Sequence, residues 1–294
     1  QGIRYPSVAE RYVATSGGAV NVFANPNLTR ETGWAAEVGF KQAIKIGEKW
    51  KGLIDVAGFV NQYNNMMEFT FGIFNPGTGE RLDPTAPDYN DIVAQILDPS
   101  TGYTINDIFG FSAENAESAR IMGAEISFNS QGTIGDVKLT SLIGYTYMIP
   151  ETQNTDSAYV ETFSTYQYDP GTQTASFDPT LKYRFNHLFK ADVEAEWKGI
   201  SLGMSSRYNS FMKNIDAIFE DELIDGLFIL PGLERYREEF NRGNLVFDVR
   251  VGYKFMDHYR IGFIVNNVLN EEYTTRPGDV QAPRNFILQL QMKF

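Results

Sequence analysis

Cysteine is absent from the 294 residues, which excludes a disulfide framework, a thiolate metal site and a cysteine nucleophile. Only two histidines are present, leaving little room for imidazole catalysis or a His-rich metal site. Basic residues are in the minority, 25 Lys and Arg against 37 Asp and Glu, for a net charge of −12. A general nucleic-acid binder needs clustered Lys and Arg, so nucleic acid is excluded as a partner. No run approaches the roughly 20 apolar residues of a membrane-spanning helix. The chain is therefore either soluble or crosses a membrane as strands. Its first residues, Gln1-Gly2-Ile3-Arg4-Tyr5-Pro6, carry no Met, basic n-region or apolar h-region. The expectation is that any export signal has been removed or lies upstream.

Aromatic residues are plentiful, 22 Phe and 16 Tyr, beside 26 Gly. They fall in a period-2 pattern, and helical periodicity is scarce. Phe189, Ala191, Val193, Ala195 and Trp197 share one strand face, and Lys190, Asp192, Glu194 and Glu196 the other. Ile200, Leu202, Met204 and Tyr208 alternate with Ser201, Gly203, Ser205 and Arg207. Similar alternation begins at Trp34, Ile54, Met122, Val137, Leu245, Tyr259 and Phe286, with Phe59 breaking the polar face of its segment. Most of these nine segments run to about ten residues, the length that crosses a bilayer when tilted. Short turns fall near 47–49, 132–135, Lys198-Gly199 and Met256-Asp257; long connections fall near 64–118, 148–184, 210–243 and 268–284. Short connections on one side and long ones on the other are the layout of an outer-membrane barrel. The connection at 64–118 holds one short helix candidate, 91–97, ended by Pro99.

A soluble β-sandwich or propeller also alternates. Against it stand the strand lengths, charge on nearly every inner face, and aromatics near strand ends where an interfacial girdle belongs. The expected fold class is all-β, a transmembrane antiparallel β-barrel. In it Phe189, Val193, Trp197, Phe247, Val249, Val251, Phe286, Leu288 and Leu290 face lipid. Asp192, Glu194, Asp248, Arg250 and Gln289 face the lumen.

Nine is an odd number, whereas a bacterial single-chain barrel closes with an even one. Either residues 1–13 supply a tenth strand, or the chain starts partway round a larger barrel. The run Val265-Asn266-Asn267-Val268-Leu269-Asn270-Glu271-Glu272-Tyr273, then Arg276-Pro277-Gly278, Pro283-Arg284 and a final strand ending in Phe294, resembles the C-terminal signature of TonB-dependent receptors. Arg4-Tyr5-Pro6-Ser7-Val8-Ala9-Glu10-Arg11-Tyr12, followed by Asn25-Pro26-Asn27-Leu28-Thr29-Arg30-Glu31, resembles that family's approach to a late barrel strand, with Arg30 where the family usually has Pro.

The resemblance implies that residues 1–294 are the C-terminal part, about nine strands, of a 22-stranded barrel in the bacterial outer membrane. The plug, the TonB box and the earlier strands would then be absent from this chain. It implies no enzyme activity and no cofactor, but active import of a scarce ligand, closer to a siderophore, iron complex or vitamin than to a glycan. The implied partners are the lipid bilayer and lipopolysaccharide, the rest of the barrel, TonB through the plug, and a small ligand or surface lipoprotein. It also makes Phe294 the expected assembly signal. The rival is a complete ten-stranded barrel acting as an outer-membrane enzyme or adhesion scaffold.

Phe69, Phe71, Phe74, Tyr89, Tyr103, Phe109 and Phe111 crowd the connection at 64–118. They suit a ligand or partner surface, or else a small core of the connection's own. The connection at 210–243 holds Asp216, Glu220, Asp221, Glu222 and Asp225, then Phe228. The spacing is not that of an EF-hand, solvated charge is the simpler reading, and no metal site is assigned. Arg235, Arg237 and Arg242 follow, able to face an anionic ligand or the acidic cluster itself. The ligand-contact candidates are Phe69, Phe71, Phe74, Tyr89, Phe228, Arg235 and Tyr236. His187 and His258 fall at opposite ends of neighbouring strands and cannot share a catalytic site. The Gly17-Gly18 pair precedes no helix that would cradle a phosphate.

Overall fold

The structure is a computed structural model, and it describes residues 2–17, 20–82, 86–153, 167–169, 174–176, 179–216, 219–220, 230–256 and 258–293. The strands are β1 (Gly2–Arg4), β2 (Thr15–Gly17), β3 (Val20–Phe23), β4 (Glu31–Ile46), β5 (Trp50–Ile73), β6 (Phe109–Ile134) and β7 (Val137–Thr152). They continue as β8 (Gln167–Asp169), β9 (Thr174–Ser176), β10 (His187–Trp197), β11 (Ile200–Asn209), β12 (Asn244–Phe255), β13 (Tyr259–Asn266) and β14 (Asn285–Met292). Among the described residues four short helices lie between them, α1 (Val8–Tyr12), α2 (Tyr89–Ile96), α3 (Ile105–Ile108) and α4 (Leu233–Glu239). The sheet runs in the order β1-β4-β5-β6-β7-β10-β11-β12-β13-β14, each neighbour antiparallel. β2 and β3 form a hairpin that joins the sheet by a parallel pairing of β3 with β6, while β8 and β9 form a separate pair.

Nine long strands are present, and their turns fall where the alternation breaks. The chain reverses through positive-φ residues at Gly47, Gly135, Lys198-Gly199 and Met256. At Gly199 the constraint is double: φ is +85°, and a Cβ would sit 2.8 Å from the Lys254 carbonyl oxygen.

Register fixes which side chains share a face. Ala195, Leu202, Val251, Phe263 and Leu288 lie in one cross-strand row. That face is apolar along the sheet and fully presented, from Val38 (82 % exposed) to Leu288 (71 %). Side chains of this size are tolerated in such a continuous band only when lipid covers them. The opposite face is polar. There Lys41 meets Asp55 at 2.7 Å, and Arg250 reaches Asp192 at 2.7 and 2.8 Å and Glu194 at 3.1 Å. Phe59, an apolar residue on this face, packs over Gly123, where a Cβ would be 2.6 Å from its ring. Arg250 likewise lies across Gly203 of β11, and a Cβ on Gly203 would collide with its guanidinium. Gly203→Val is therefore expected to push Arg250 off its carboxylates and cost about 1–3 kcal/mol. Gly262→Ala, whose new Cβ would meet nothing closer than 3.8 Å, should be nearly silent. Urea unfolding of both variants in micelles checks the contrast, and equal midpoints would refute it.

Two expectations need correction. The span 64–118 is not a loop throughout. β5 and β6 run for 24 and 26 residues, more than twice what a bilayer needs, and keep pairing from Met66–Glu117 up to Ile73–Phe109. Only 74–108 connects them. Alternating Phe69, Phe71, Phe109 and Phe111 extend the ladder, and a bulge beside Asn65 (φ 54°) shifts its register as it leaves the wall. Replacing 68–112 by a linker would thus remove ladder bonds. Nor do residues 1–13 make a tenth long strand. Gly2–Arg4 pairs with Glu31–Gly33, and Ser7 with Glu10 then caps helix α1.

Candidate functional site

All four long connections emerge at one end of the sheet, because antiparallel strands separated by tight turns send every second connection the same way. The entry segment is stitched to this end. The Asn25 amide donates to the Ala113 carbonyl at 2.9 Å, Thr29 N–H donates to Asn115 at 2.8 Å, and Met67 N–H donates to Glu31 at 3.0 Å. Leu28, in the same motif, is buried. The second motif closes the last connection. Asn267 (3 % exposed, φ 50°) donates its backbone N–H to Asp248 at 2.8 Å, and its side chain bonds both the N–H and the carbonyl of Glu271 at 2.8 Å. Asn270 (φ 55°) accepts from Arg284 N–H at 2.9 Å. Both asparagines adopt left-handed backbone, which their short side chains tolerate better than most.

Above the membrane, β5, β6, α2 and α3 enclose a satellite core of Phe71, Ile96, Ile108 and Phe109. Phe71 stacks on Phe109 at 6.0 Å, and Phe74 (1 % exposed) stacks on Phe23 at 4.4 Å. Phe71 and Phe74 therefore offer no face to a ligand, a correction to their place among the contact candidates. The helix that covers Phe71 needs an apolar floor, and these rings supply it. Tyr89 opens α2 half-buried, and burial raises its phenol above the usual range. Phe69 alone of these four remains open, 48 % exposed.

Phe69 lines a cavity of about 330 Å³ built from the extended β5–β6 hairpin and three long connections. Met67, Glu68, Phe69 and Phe111 come from β5 and β6, Tyr183 and Arg184 from the connection after β7, Asp216 and Phe219 from the one after β11, and Arg276 and Pro277 from the one after β13. Its floor is a buried knot. Lys182 and Asp216, 2 % and 3 % exposed at their side chains, meet at 2.6 Å, and the Tyr183 hydroxyl donates to the other Asp216 oxygen. Tyr183 holds φ at 59°, and its backbone N–H donates to the Asn214 carbonyl at 2.9 Å. Burial, and then the Asp216 carboxylate, push its phenol far above the usual range, so it stays a neutral donor. The Arg276 guanidinium stands 5.7 Å from the Tyr183 ring centre. Phe111 stacks on Phe219 at 6.0 Å.

The remaining candidates lie elsewhere. Arg235 is exposed on α4, and Tyr236 stacks on Phe240 at 4.8 Å beside a second, smaller hollow of about 40 Å³. Burial, then Glu272 and Glu271, raise the Tyr236 phenol. Arg237 is committed to Glu220 and to the Met212 carbonyl at 2.9 Å. Asp216 and Glu220 thus each hold a cation of their own chain rather than opening a calcium site. Phe228 and Phe294 lie outside the described residues, as do Asp221, Glu222 and Asp225. His187 meets Tyr145 at 2.8 Å at the long-connection end, far from His258 beside a short turn. Among the described residues no group of three or more His, Asp or Glu is placed to hold a metal.

Tyr183, Arg184 and Phe219 were not singled out from the sequence, and Arg276 entered only as part of the C-terminal motif. No periodicity marks them, and only the convergence of distant connections brings them together.

The family profile described as TonB dependent receptor-like, beta-barrel matches residues 1–268. No curated protein sequence matches. Among solved structures, the hemophore receptor HasR of Serratia marcescens, solved with its hemophore HasA and heme, has a TM-score of 0.57 at 17 % identity, covering 99 % of this chain and 36 % of that one. The ferric-catecholate import receptor Fiu from Escherichia coli K12 has a TM-score of 0.51 at 17 % identity, with coverages of 97 % and 30 %. The pyoverdine receptor FpvA of Pseudomonas aeruginosa PAO1 has a TM-score of 0.50 at 13 % identity, with coverages of 99 % and 32 %. The chain spans about a third of the length of each. At such identities the likeness speaks for the fold alone.

Proposed function

The chain belongs to the TonB-dependent receptor β-barrel family, and on that premise we propose that it forms the C-terminal barrel wall and part of the outer mouth of a transporter importing a scarce ligand. Barrels of this family lie in the bacterial outer membrane, and the family is one of receptors and transporters rather than enzymes. The proposed whole is a 22-stranded barrel with a plug, to which residues 1–294 give nine long strands. Open edges support this. β4 is paired by β1 only at Glu31–Gly33, and among the described residues β14 is paired only by β13. Unpaired backbone groups facing hydrocarbon cost several kcal/mol each, roughly, so further strands must cover both edges. The ten-stranded rival loses its support with the helical turn at Val8–Tyr12.

The observation that carries the reading is a cavity assembled from the extended β5–β6 hairpin and three outer connections. Sites drawn from loops on a rigid scaffold are the usual form of a binding mouth. The lining sets the rings of Phe69, Phe111, Tyr183 and Phe219 beside the charged side chains of Glu68, Arg184, Asp216 and Arg276. A compact iron complex, siderophore or vitamin-like compound with both apolar and polar faces suits such a lining. Lipid and lipopolysaccharide would cover the apolar face, and TonB would act through the plug. A surface lipoprotein is the alternative occupant of the mouth. Phe69→Asp places a carboxylate on the cavity wall without touching a ladder bond. Uptake of ferric siderophores and cobalamins by cells carrying the full-length receptor should fall about tenfold or more in apparent affinity. Unchanged uptake of every imported compound would remove the cavity from the pathway.

Phe294 is proposed as the assembly signal. The last strand must pair to abolish its edge, and its outer face is apolar at Phe286, Leu288, Leu290 and Met292. Deleting Phe294 should lower the yield of heat-modifiable protein in the outer membrane at high expression, and an unchanged yield would count against it.

A further inference from the structure

β5 and β6 leave the wall as a ribbon. β5 last meets β4 at Thr32–Asn64, and β6 last meets β7 at Ala119–Thr152. Farther out, 66–73 pairs with 109–117 beyond a double register shift beside Asn65. A two-stranded ribbon is marginally stable by itself, and a bulge is where it bends. This ribbon carries Phe69 and Phe111 to the cavity wall. Residues 20–31 run beside β6 over the same distance. The Asn21 amide donates to the carbonyls of Asn106 at 2.7 Å and Phe109 at 3.0 Å, residues 21–23 pair in parallel with 110–112, and the Asn25 amide donates to the Ala113 carbonyl. Gly110 permits this approach, since a Cβ there would fall 2.3 Å from the Asn21 carbonyl oxygen. At the bulge the Asn115 side chain joins three segments. Its oxygen accepts from the Thr29 N–H at 2.8 Å and the Thr29 hydroxyl at 3.1 Å, and its amide donates to the carbonyls of Thr29 at 3.1 Å and Asn65 at 2.9 Å. Glu31 accepts the Met67 N–H at 3.0 Å. Thr29 and Asn115 stand outside the cavity lining.

We propose that the outer part of β5–β6 is a jointed arm, with the bulge beside Asn65 as its joint, residues 20–31 as its splint and Asn115 as the latch that fixes its angle. Asn115 is a positioning residue, acting through where it holds Phe69 and Phe111. The latch bonds lie at the surface, where water competes for every donor and acceptor, so the angle is set by several weak bonds acting together. The splint is also the lead into wall strand β4, which begins at Glu31. A segment outside the cavity thereby governs the shape of its mouth. The effect on uptake rests on the transporter reading; the joint itself does not.

Asn115→Ala in the full-length receptor opens the latch without removing a ladder bond. Nitroxide labels attached through Gln95→Cys, on α2 of the arm, and Val38→Cys, on the wall, report the angle by dipolar electron spin resonance in micelles. The parent should give a narrow distance distribution and Asn115→Ala a broad one. Gly110→Val, which forces the splint off β6 by steric means alone, should broaden it as well. Arg30→Gln, at an exposed position of the same segment, should leave it narrow. Backbone hydrogen exchange in Asn115→Ala should rise about tenfold at 66–73 and 109–115, with 50–63 and 120–134 unchanged. Uptake is then measured with ferrichrome, ferric enterobactin and cyanocobalamin. For a compound that is imported, apparent KM should rise about threefold or more while the maximal rate holds, whereas mere loss of folded receptor would lower the maximal rate. A distribution that stays narrow in both Asn115→Ala and Gly110→Val overturns the proposal. A broadened distribution with unchanged KM keeps the joint and removes the cavity from the transport pathway, so the transporter reading of the cavity fails instead.

Discussion

Asp216→Asn is expected to loosen the outer mouth by about 3–5 kcal/mol, because it removes the carboxylate charge that faces the buried Lys182 ammonium. The substitution preserves shape, so the loss is electrostatic. Lys182 and Asp216 come from two connections separated in sequence by the whole β10–β11 hairpin and meet at 2.6 Å with almost no solvent contact. Beside this pair the Tyr183 hydroxyl donates to Asp216, the Asn214 side-chain amide donates to the Thr180 carbonyl, and Tyr183 N–H donates to the Asn214 carbonyl. Hydrogen exchange should accelerate at 180–183 and 212–216 while the ladder from β10 to β14 keeps its protection, since the wall does not depend on the knot. Lys182→Met should have a similar effect. The double variant Lys182→Met/Asp216→Leu should recover much of the loss, because a buried ion pair replaced by apolar groups of like volume is often neutral. Equal loosening in the double and single variants would show that the pair's packing, not its charge, holds the mouth.

Leu288→Arg and Val251→Arg are expected to cost about 2–4 kcal/mol each when the barrel is folded into lipid vesicles, while Gln289→Arg costs little. Leu288 and Val251 flank Phe263 in one row of the apolar face, and Gln289 is the next residue on the opposite face. The contrast isolates the environment from the residue type. A guanidinium on the apolar face at mid-depth has no partner in hydrocarbon, whereas on the polar face it joins Arg250, Arg260 and Gln291 around a hollow of about 300 Å³. Equal urea midpoints for Leu288→Arg and Gln289→Arg would mean that the faces have been assigned to the wrong solvents.

The wall was legible because a strand's side-chain period is two. A strand that borders two different solvents must write both of them into alternate residues, and β10 to β14 do so along most of their length, with Leu188, Val246, Ile264 and Ile287 as apolar residues on the polar face. Turns were legible for the same reason, since Lys198-Gly199 and Met256-Asp257 interrupt the alternation. The same signal reaches into 64–118. Phe69, Phe71, Phe109 and Phe111 alternate too, and there the alternation belongs to an extended hairpin rather than to a loop. Phe71 and Phe74 looked like ligand contacts because a sequence does not show that α2, α3 and Phe23 will cover them.

By itself the sequence determined the nine long alternating strands, the two faces, the long-connection side and the family resemblance of both end motifs. These depend on near neighbours in the chain or on fixed residue patterns. The tertiary structure alone decided the mouth. Lys182, Asp216 and Arg276 are far apart in sequence, and nothing local marks what any of them will meet. Whether a charge is neutralised, buried or presented is a property of what stands opposite it. Only the register of the sheet, which brings four connections to one end, places Asp216 against Lys182 and leaves Arg276 facing the cavity.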